Sequence, residues 1–219
     1  MSLQVHLLPP SPNNTKVMVA LAYMGIDHEA ILVDGAAPDG RDALIEATGQ
    51  GLTPAINHNG IKLFDSCAIL RYLDANFDGP ALFTTDRDTH KAIEMWENYH
   101  RFGIGPFLGR AFGLFFSGQE DAAEVAAINA GLHEATKKIE DALAEDGGKD
   151  WLVSDHMTAA DITIASFVGF ACYTDEQAAM TPLWKWMQER FDLGEGRERT
   201  RAHTQRVLAF VPDFASLAS

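Results

Sequence analysis

Hydrophobic and polar positions follow two regimes along this chain. In the first third, short apolar runs bounded by turn residues alternate with stretches of helical period; beyond residue 88 the helical period takes over almost throughout. Residues 3–8 alternate loosely and run into Pro9-Pro10-Ser11-Pro12, which reads as a strand entering a rigid loop. Ser11 followed by Pro12 is an N-cap with proline at the first helical position. Val17, Leu21 and Met24 supply the apolar face of that helix, and Gly25 ends it. A second strand is expected over 26–33. A short helix around 42–47 is expected within a segment rich in Gly, Ala and Asp.

Residues 49–72, GQGLTPAINHNGIKLFDSCAILRY, hold the densest signals. Thr53-Pro54-Ala55-Ile56 opens a strand with a proline, which cannot donate to a ladder and so belongs at a strand start or an edge. His58-Asn59-Gly60 is a hairpin turn between two apolar runs. Asp65-Ser66 then precedes Ile69, Leu70, Tyr72 and Leu73 at helical spacing. Ser66 is the expected N-cap, with the Asp65 carboxylate beside it at the positive helix end. The order is βαβ, a further helix, then ββα. The first two strands need a crossover and should be parallel, and the hairpin antiparallel.

Residues 77–87 turn polar and irregular around Gly79-Pro80 and read as a linker. Residues 88–116 then form one long helix, kinked where Gly103, Gly105 and Pro106 interrupt it. Val125, Ile128, Leu132, Ala135, Ile139 and Leu143 mark an amphipathic helix that stops at Gly147-Gly148. Thr158-Ala-Ala-Asp161 is a capping-box variant opening the apolar run 162–170, a buried central helix. Further helices are expected over 182–192 and 197–210. The expected fold class is α/β plus all-α: a βαβαββα domain over residues 1–76, a linker over 77–87, and an all-helical domain over 88–219.

Composition narrows the function. Of 219 residues, 47% are hydrophobic, with 17 basic against 31 acidic and a net charge of −14. That charge repels phosphate backbones and anionic lipid, so neither nucleic acid nor membrane is an expected partner. No apolar run approaches a membrane span and no signal-peptide pattern opens the chain, so a cytoplasmic location is expected. Two cysteines, Cys67 and Cys172, make no disulfide framework, and the eight histidines are scattered, so no metal site is expected. Cys67 reads either as a thiol acidified at a helix start or, on the blander reading, as a small buried residue facing the sheet.

Thr-Pro, hairpin, Asp-Ser and helix, in that order, set an open backbone edge beside a helix N-terminus. Such a place suits a small peptide with a free amine and carboxylate. At these residues the chain resembles the soluble glutathione transferases, and the likeness extends over essentially the full length. Residues 151–153 with Thr158 to Ile162 resemble the buried capping box of that family. Ser11-Pro12-Asn13 and the Gly105-Pro106-x-x-Gly109 run resemble the bacterial nu-class and related serine- and asparagine-using branches.

The resemblance implies a thioredoxin-like first domain and a glutathione transferase that holds its co-substrate glutathione as thiolate for attack on a hydrophobic electrophile. Ser11 and Asn13 would approach the sulfur as catalytic groups, although Ser11 also reads simply as an N-cap. Thr53 would clamp the cysteinyl backbone beside a cis Pro54, and Asp65 and Ser66 would hold the glutamyl end. Gln50 and Leu52 would line the glycyl end. There the family carries a base, this chain has Leu52, and Gln50 or Lys16 would be the substitute. Tyr99 and Phe112 lead a set of aromatics on the long helix that would line the acceptor pocket; such rings also serve as core or dimer interface. Homodimerisation is implied as well. Two other readings share the resemblance: a glutathione-dependent disulfide oxidoreductase or peroxidase, and a non-catalytic binding protein on the same fold.

Overall fold

The structure is a computed structural model and describes residues 3–34, 40–214 and Leu217. The chain divides into two compact units, Met1–Phe83 together with Phe210–Ser219, and Thr84–Ala209.

The first unit is built on a four-stranded sheet of order β2-β1-β3-β4. The strands are β1 (Leu3–Leu7), β2 (Glu29–Leu32), β3 (Ala55–His58) and β4 (Ile61–Phe64), with helices α1 (Pro12–Met24), α2 (Gly40–Thr48) and α3 (Ser66–Asn76). β1 runs parallel to β2 and antiparallel to β3, and β3 pairs antiparallel with β4 through the Asn59-Gly60 turn. Val5 faces Ile56, and Ile56 faces Leu63. Leu3, Val5, Leu7, Ile56, Ile69, Leu70 and Leu73 form the core with the buried run 17–21 of α1. β2 is shorter than the expected 26–33. Gly25, at φ 67°, closes α1 with its own N–H on Ala22 O, and the Ile26 N–H goes back to Leu21 O, so residue 26 belongs to the helix cap. The Pro9–Pro10 and Thr53–Pro54 peptide bonds are cis.

The second unit is helical: α4 (Arg87–Tyr99), α5 (Gly105–Ser117), α6 (Ala122–Ala144), α7 (Ala159–Val168), α8 (Asp175–Ala178), α9 (Pro182–Gln188) and α10 (Glu198–Leu208). Between α4 and α5 the chain widens into a π-helical turn, His100–Ile104, and Pro106 sits in the first turn of α5. The glycines there sit at close approaches. A Cβ at Gly103 would lie 2.9 Å from the Tyr99 ring, and one at Gly105 would lie 3.1 Å from His100 O. Every residue of α7 is buried. Its capping carboxylate does more than the sequence pattern states. Asp161 Oδ2 accepts from Thr158 N and Oγ1 at 2.8 and 2.9 Å, while Oδ1 accepts from Leu152 N and meets His203 Nε2 on α10. The short helix α8, held by a Thr174–Gln177 capping box, is absent from the sequence reading because four residues are too few to show a period. Among the described residues, no helix is long and apolar enough to cross a membrane, and no group of three or more His, Cys, Asp or Glu is placed to hold a metal.

Candidate functional site at two helix starts

α1 and α3 begin beside one another. Ser66 Oγ donates to Asn13 Oδ1 at 3.1 Å, so the first turns of the two helices are hydrogen-bonded together. Each first turn carries backbone amides without intrahelical acceptors, and each helix end is electropositive. The pair makes one place in the unit where donors from two helices converge.

Ser11 stands at the N-cap of α1 with extended backbone (φ −62°, ψ 134°), yet its side chain makes no capping bond. Its carbonyl takes the helix-opening duty, accepting from Thr15 N at 2.9 Å and Thr15 Oγ1 at 3.2 Å. The hydroxyl is therefore not spent on the cap, as the blander reading of Ser11 would have it.

At α3 the expected cap moves by one residue. Asp65 is the N-cap, and its Oδ1 accepts from Cys67 N at 2.9 Å and Ala68 N at 3.1 Å; Ser66 is the first helical residue. A carboxylate accepts two amides where a hydroxyl commonly takes one, and aspartate tolerates the positive φ of 70° found here. Freed from the cap, the Ser66 hydroxyl reaches Asn13 instead.

Thr53 is brought to the same region by a residue that sequence reasoning missed. Asn14, fully buried, accepts from Leu8 N at 3.1 Å through Oδ1 and donates to Thr53 Oγ1 at 3.1 Å through Nδ2. One amide thus ties the turn before α1 to the entry of β3. The signal was the Asn13-Asn14 pair just inside a helix start, where a side chain with both donor and acceptor has a use other than helix propensity.

The glycyl end departs from expectation. Gln50 folds its amide onto its neighbour: Oε1 accepts from Leu52 N at 2.7 Å and Nε2 donates to Leu52 O. Leu52 itself is 72% exposed. Lys16, the other suggested substitute, is fully buried with Nζ 3.5 Å from Cys67 Sγ. Both substitutes are committed elsewhere, because a short loop lets Gln50 satisfy the Leu52 backbone and α1 turns Lys16 into the interior. Cys67 is half-buried against that ammonium, more accessible than a core residue facing the sheet.

Tyr99 and Phe112 belong to the second unit. The Tyr99 hydroxyl donates to Ala135 O on α6 at 2.6 Å, its ring takes the Lys138 ammonium at 4.5 Å, and burial raises its pKa. That makes it a strut between α4 and α6. Phe112 stacks on Phe116 at 6.0 Å, and Phe116 stands 75% exposed.

A thioredoxin-like sheet entered through a cis proline, two joined helix starts and an all-helical second unit together define the two-domain architecture of glutathione transferases. The family described as glutathione S-transferase, N-terminal domain, matches residues 6–81. A glutathione S-transferase of Silene vulgaris is 26% identical over 200 residues, covering 84% of this chain and 91% of the relative. A maleylacetoacetate isomerase of Rattus norvegicus is 30% identical over 161 residues, covering 71% of this chain and 72% of the relative. Human glutathione transferase theta-2, solved in complex with glutathione, superposes with a TM-score of 0.74 at 20% identity, covering 99% of this chain and 84% of that one. The chain belongs to the glutathione S-transferase family.

Proposed function

We propose that this chain binds glutathione at the joined starts of α1 and α3, holds its sulfur as thiolate and conjugates it with a hydrophobic electrophile. The Ser66–Asn13 bond carries the reading, since it sets the two electropositive helix ends side by side. In the proposal Asp65 meets the glutamyl ammonium, and Ser66, through its own N–H and hydroxyl at the start of α3, meets the glutamyl carboxylate. Thr53, ahead of cis Pro54, pairs with the cysteinyl backbone. Ser11 donates its hydroxyl to the sulfur, with Asn13 and the opening amides of α1 beside it. These donors lower the thiol pKa by favouring the charged form. The proton passes to solvent, and the thiolate forms a carbon–sulfur bond as the electrophile's leaving group departs or its double bond takes the electron pair.

Support for the electrophile's class comes from the aromatic face of α5, where Phe112 and the exposed Phe116 stack. A homodimer and a cytoplasmic location complete the proposal. One observation favours a second reading, a binding protein without turnover: residue 52 offers no charge and the Gln50 amide is closed on the Leu52 backbone.

Titration calorimetry with glutathione, followed by assays with an aryl halide, an organic peroxide and a disulfide, tests the proposal. Binding with aryl halide turnover is the expected result. Binding with disulfide or peroxide turnover alone moves the chemistry to thiol exchange, and binding without turnover favours the second reading. Absence of binding rejects all three. Sedimentation at micromolar concentration checks the dimer.

A further inference from the structure

We infer that Asn14 is a positioning residue for the sulfur of the bound tripeptide: it fixes Ser11, which would meet the sulfur, against Thr53, which would hold the cysteinyl backbone. The inference rests on the glutathione reading above. A relay of three hydrogen bonds joins the two residues. Asn14 Nδ2 donates to Thr53 Oγ1 at 3.1 Å, Asn14 Oδ1 accepts from Leu8 N at 3.1 Å, and Leu8 O accepts from Ser11 N at 3.2 Å. The Leu8 N–H can only donate, so it claims the oxygen of the amide and leaves the NH2 group to Thr53. Leu8 is held on both sides, its N–H by Asn14 and its carbonyl by Ser11.

Helix capping does not account for this asparagine. Asn14 is the third residue of α1, from which a capping box would reach back to the N–H of the N-cap. Here that N–H, on Ser11, goes to Leu8 O, and the Asn14 side chain passes on to the Leu8 N–H. Packing does not account for it either. Asn14 is fully buried, and an amide in the interior costs stability unless its donor and its acceptor both find partners. What the amide adds is a fixed register between the turn before α1 and the entry of β3. Its neighbour Asn13 does the corresponding work toward α3, accepting from Ser66 Oγ. Successive helical residues point about 100° apart, so adjacent asparagines can fasten α1 to two different segments. Thiolate stabilisation needs the Ser11 hydroxyl within hydrogen-bond reach of a sulfur whose place is set from Thr53. A displacement of about 1 Å is enough to lose it.

The test reads the thiol and the fold separately. Calorimetry compares glutathione with S-methylglutathione on the wild type, Asn14→Ala, Thr53→Val, Thr53→Ser and the double variant of the first two. Thiolate absorbance across pH follows the acidity of the bound thiol, and thermal unfolding checks folding. Asn14→Ala and Thr53→Val should each lower the acidity constant of bound glutathione roughly tenfold, the scale of one hydrogen bond to a charged group. The double variant should add little to either, because both break the same relay. Thr53→Ser, which keeps the acceptor for Asn14, should recover most of the effect. Affinity should fall further for glutathione than for S-methylglutathione, which has no proton to release. If Asn14→Ala does not fold, the nearly isosteric Thr53→Val carries the same expectation. Unchanged thiol acidity in folded Thr53→Val overturns the inference and leaves glutathione binding standing. A wild type that binds neither ligand rejects the glutathione reading itself, and this inference with it.

Discussion

Ser66 Oγ donates to Asn13 Oδ1 at 3.1 Å although 53 positions separate the two residues. The bond is half of a shared helix beginning, and its removal should be felt twice. Ser66→Ala and Asn13→Ala are each expected to lower stability by about 1 kcal/mol. The double variant should cost less than their sum, as denaturant unfolding of the four proteins would show. Glutathione affinity should fall roughly tenfold in Ser66→Ala.

Ser11 should act on the sulfur and not on the helix. Its side chain makes no cap bond, so Ser11→Ala is expected to leave the melting temperature nearly unchanged. The pKa of the bound thiol, read from thiolate absorbance across pH, should rise in that variant. A large loss of stability with an unmoved thiol pKa would return Ser11 to the role of a cap.

Asn14 is the fastening that sequence reasoning missed. Asn14→Ala strips partners from Leu8 N and Thr53 Oγ1 inside the fold, an expected loss of about 2–4 kcal/mol at about 1–2 kcal/mol for each broken bond. Asn14→Asp keeps the acceptor for Leu8 N and loses the donor to Thr53. Its damage should appear mainly in hydrogen exchange around residues 51–55.

Asp161 joins Leu152, Thr158 and His203. Thr158→Ala removes a cap worth about 1 kcal/mol. Asp161→Ala orphans several buried groups together and should cost about 3 kcal/mol or more. Equal melting temperatures for the two variants would refute the junction.

His6 sets an acid limit on the first unit. Burial pushes its imidazole below the ordinary 6.5, the Lys62 charge adds to this, and the Glu29 carboxylate opposes it. Among the described residues its Nε2 has no hydrogen-bond partner. A lowered folded pKa means that the unfolded chain takes up the proton first. Stability should therefore hold above about pH 7 and fall as the pH drops through the unfolded value. His6→Leu should flatten that slope in denaturant titrations run between pH 5 and 8 (a range chosen to bracket the ordinary histidine pKa).

What the sequence by itself determined about this protein is what chain neighbours decide among themselves. The helix stop at Gly25, the Asn59-Gly60 hairpin, the Thr158–Asp161 box and the break before Pro106 rest on caps, turns and periods spanning a few residues. The tertiary structure alone decided the distant pairings. Asn14 meets Thr53 across 39 residues and Lys16 meets Cys67 across 51. Asp65 displaced Ser66 as cap because Asn13 waited across the fold for the hydroxyl, and Tyr99 became a strut because Ala135 O lay within its reach. At Gly131 the Phe107 ring fills the space a Cβ would take. Local propensity is written in consecutive residues. A hydrogen-bond partner or a steric gap exists only once packing has brought separate segments within 3 or 4 Å, the range over which these forces act.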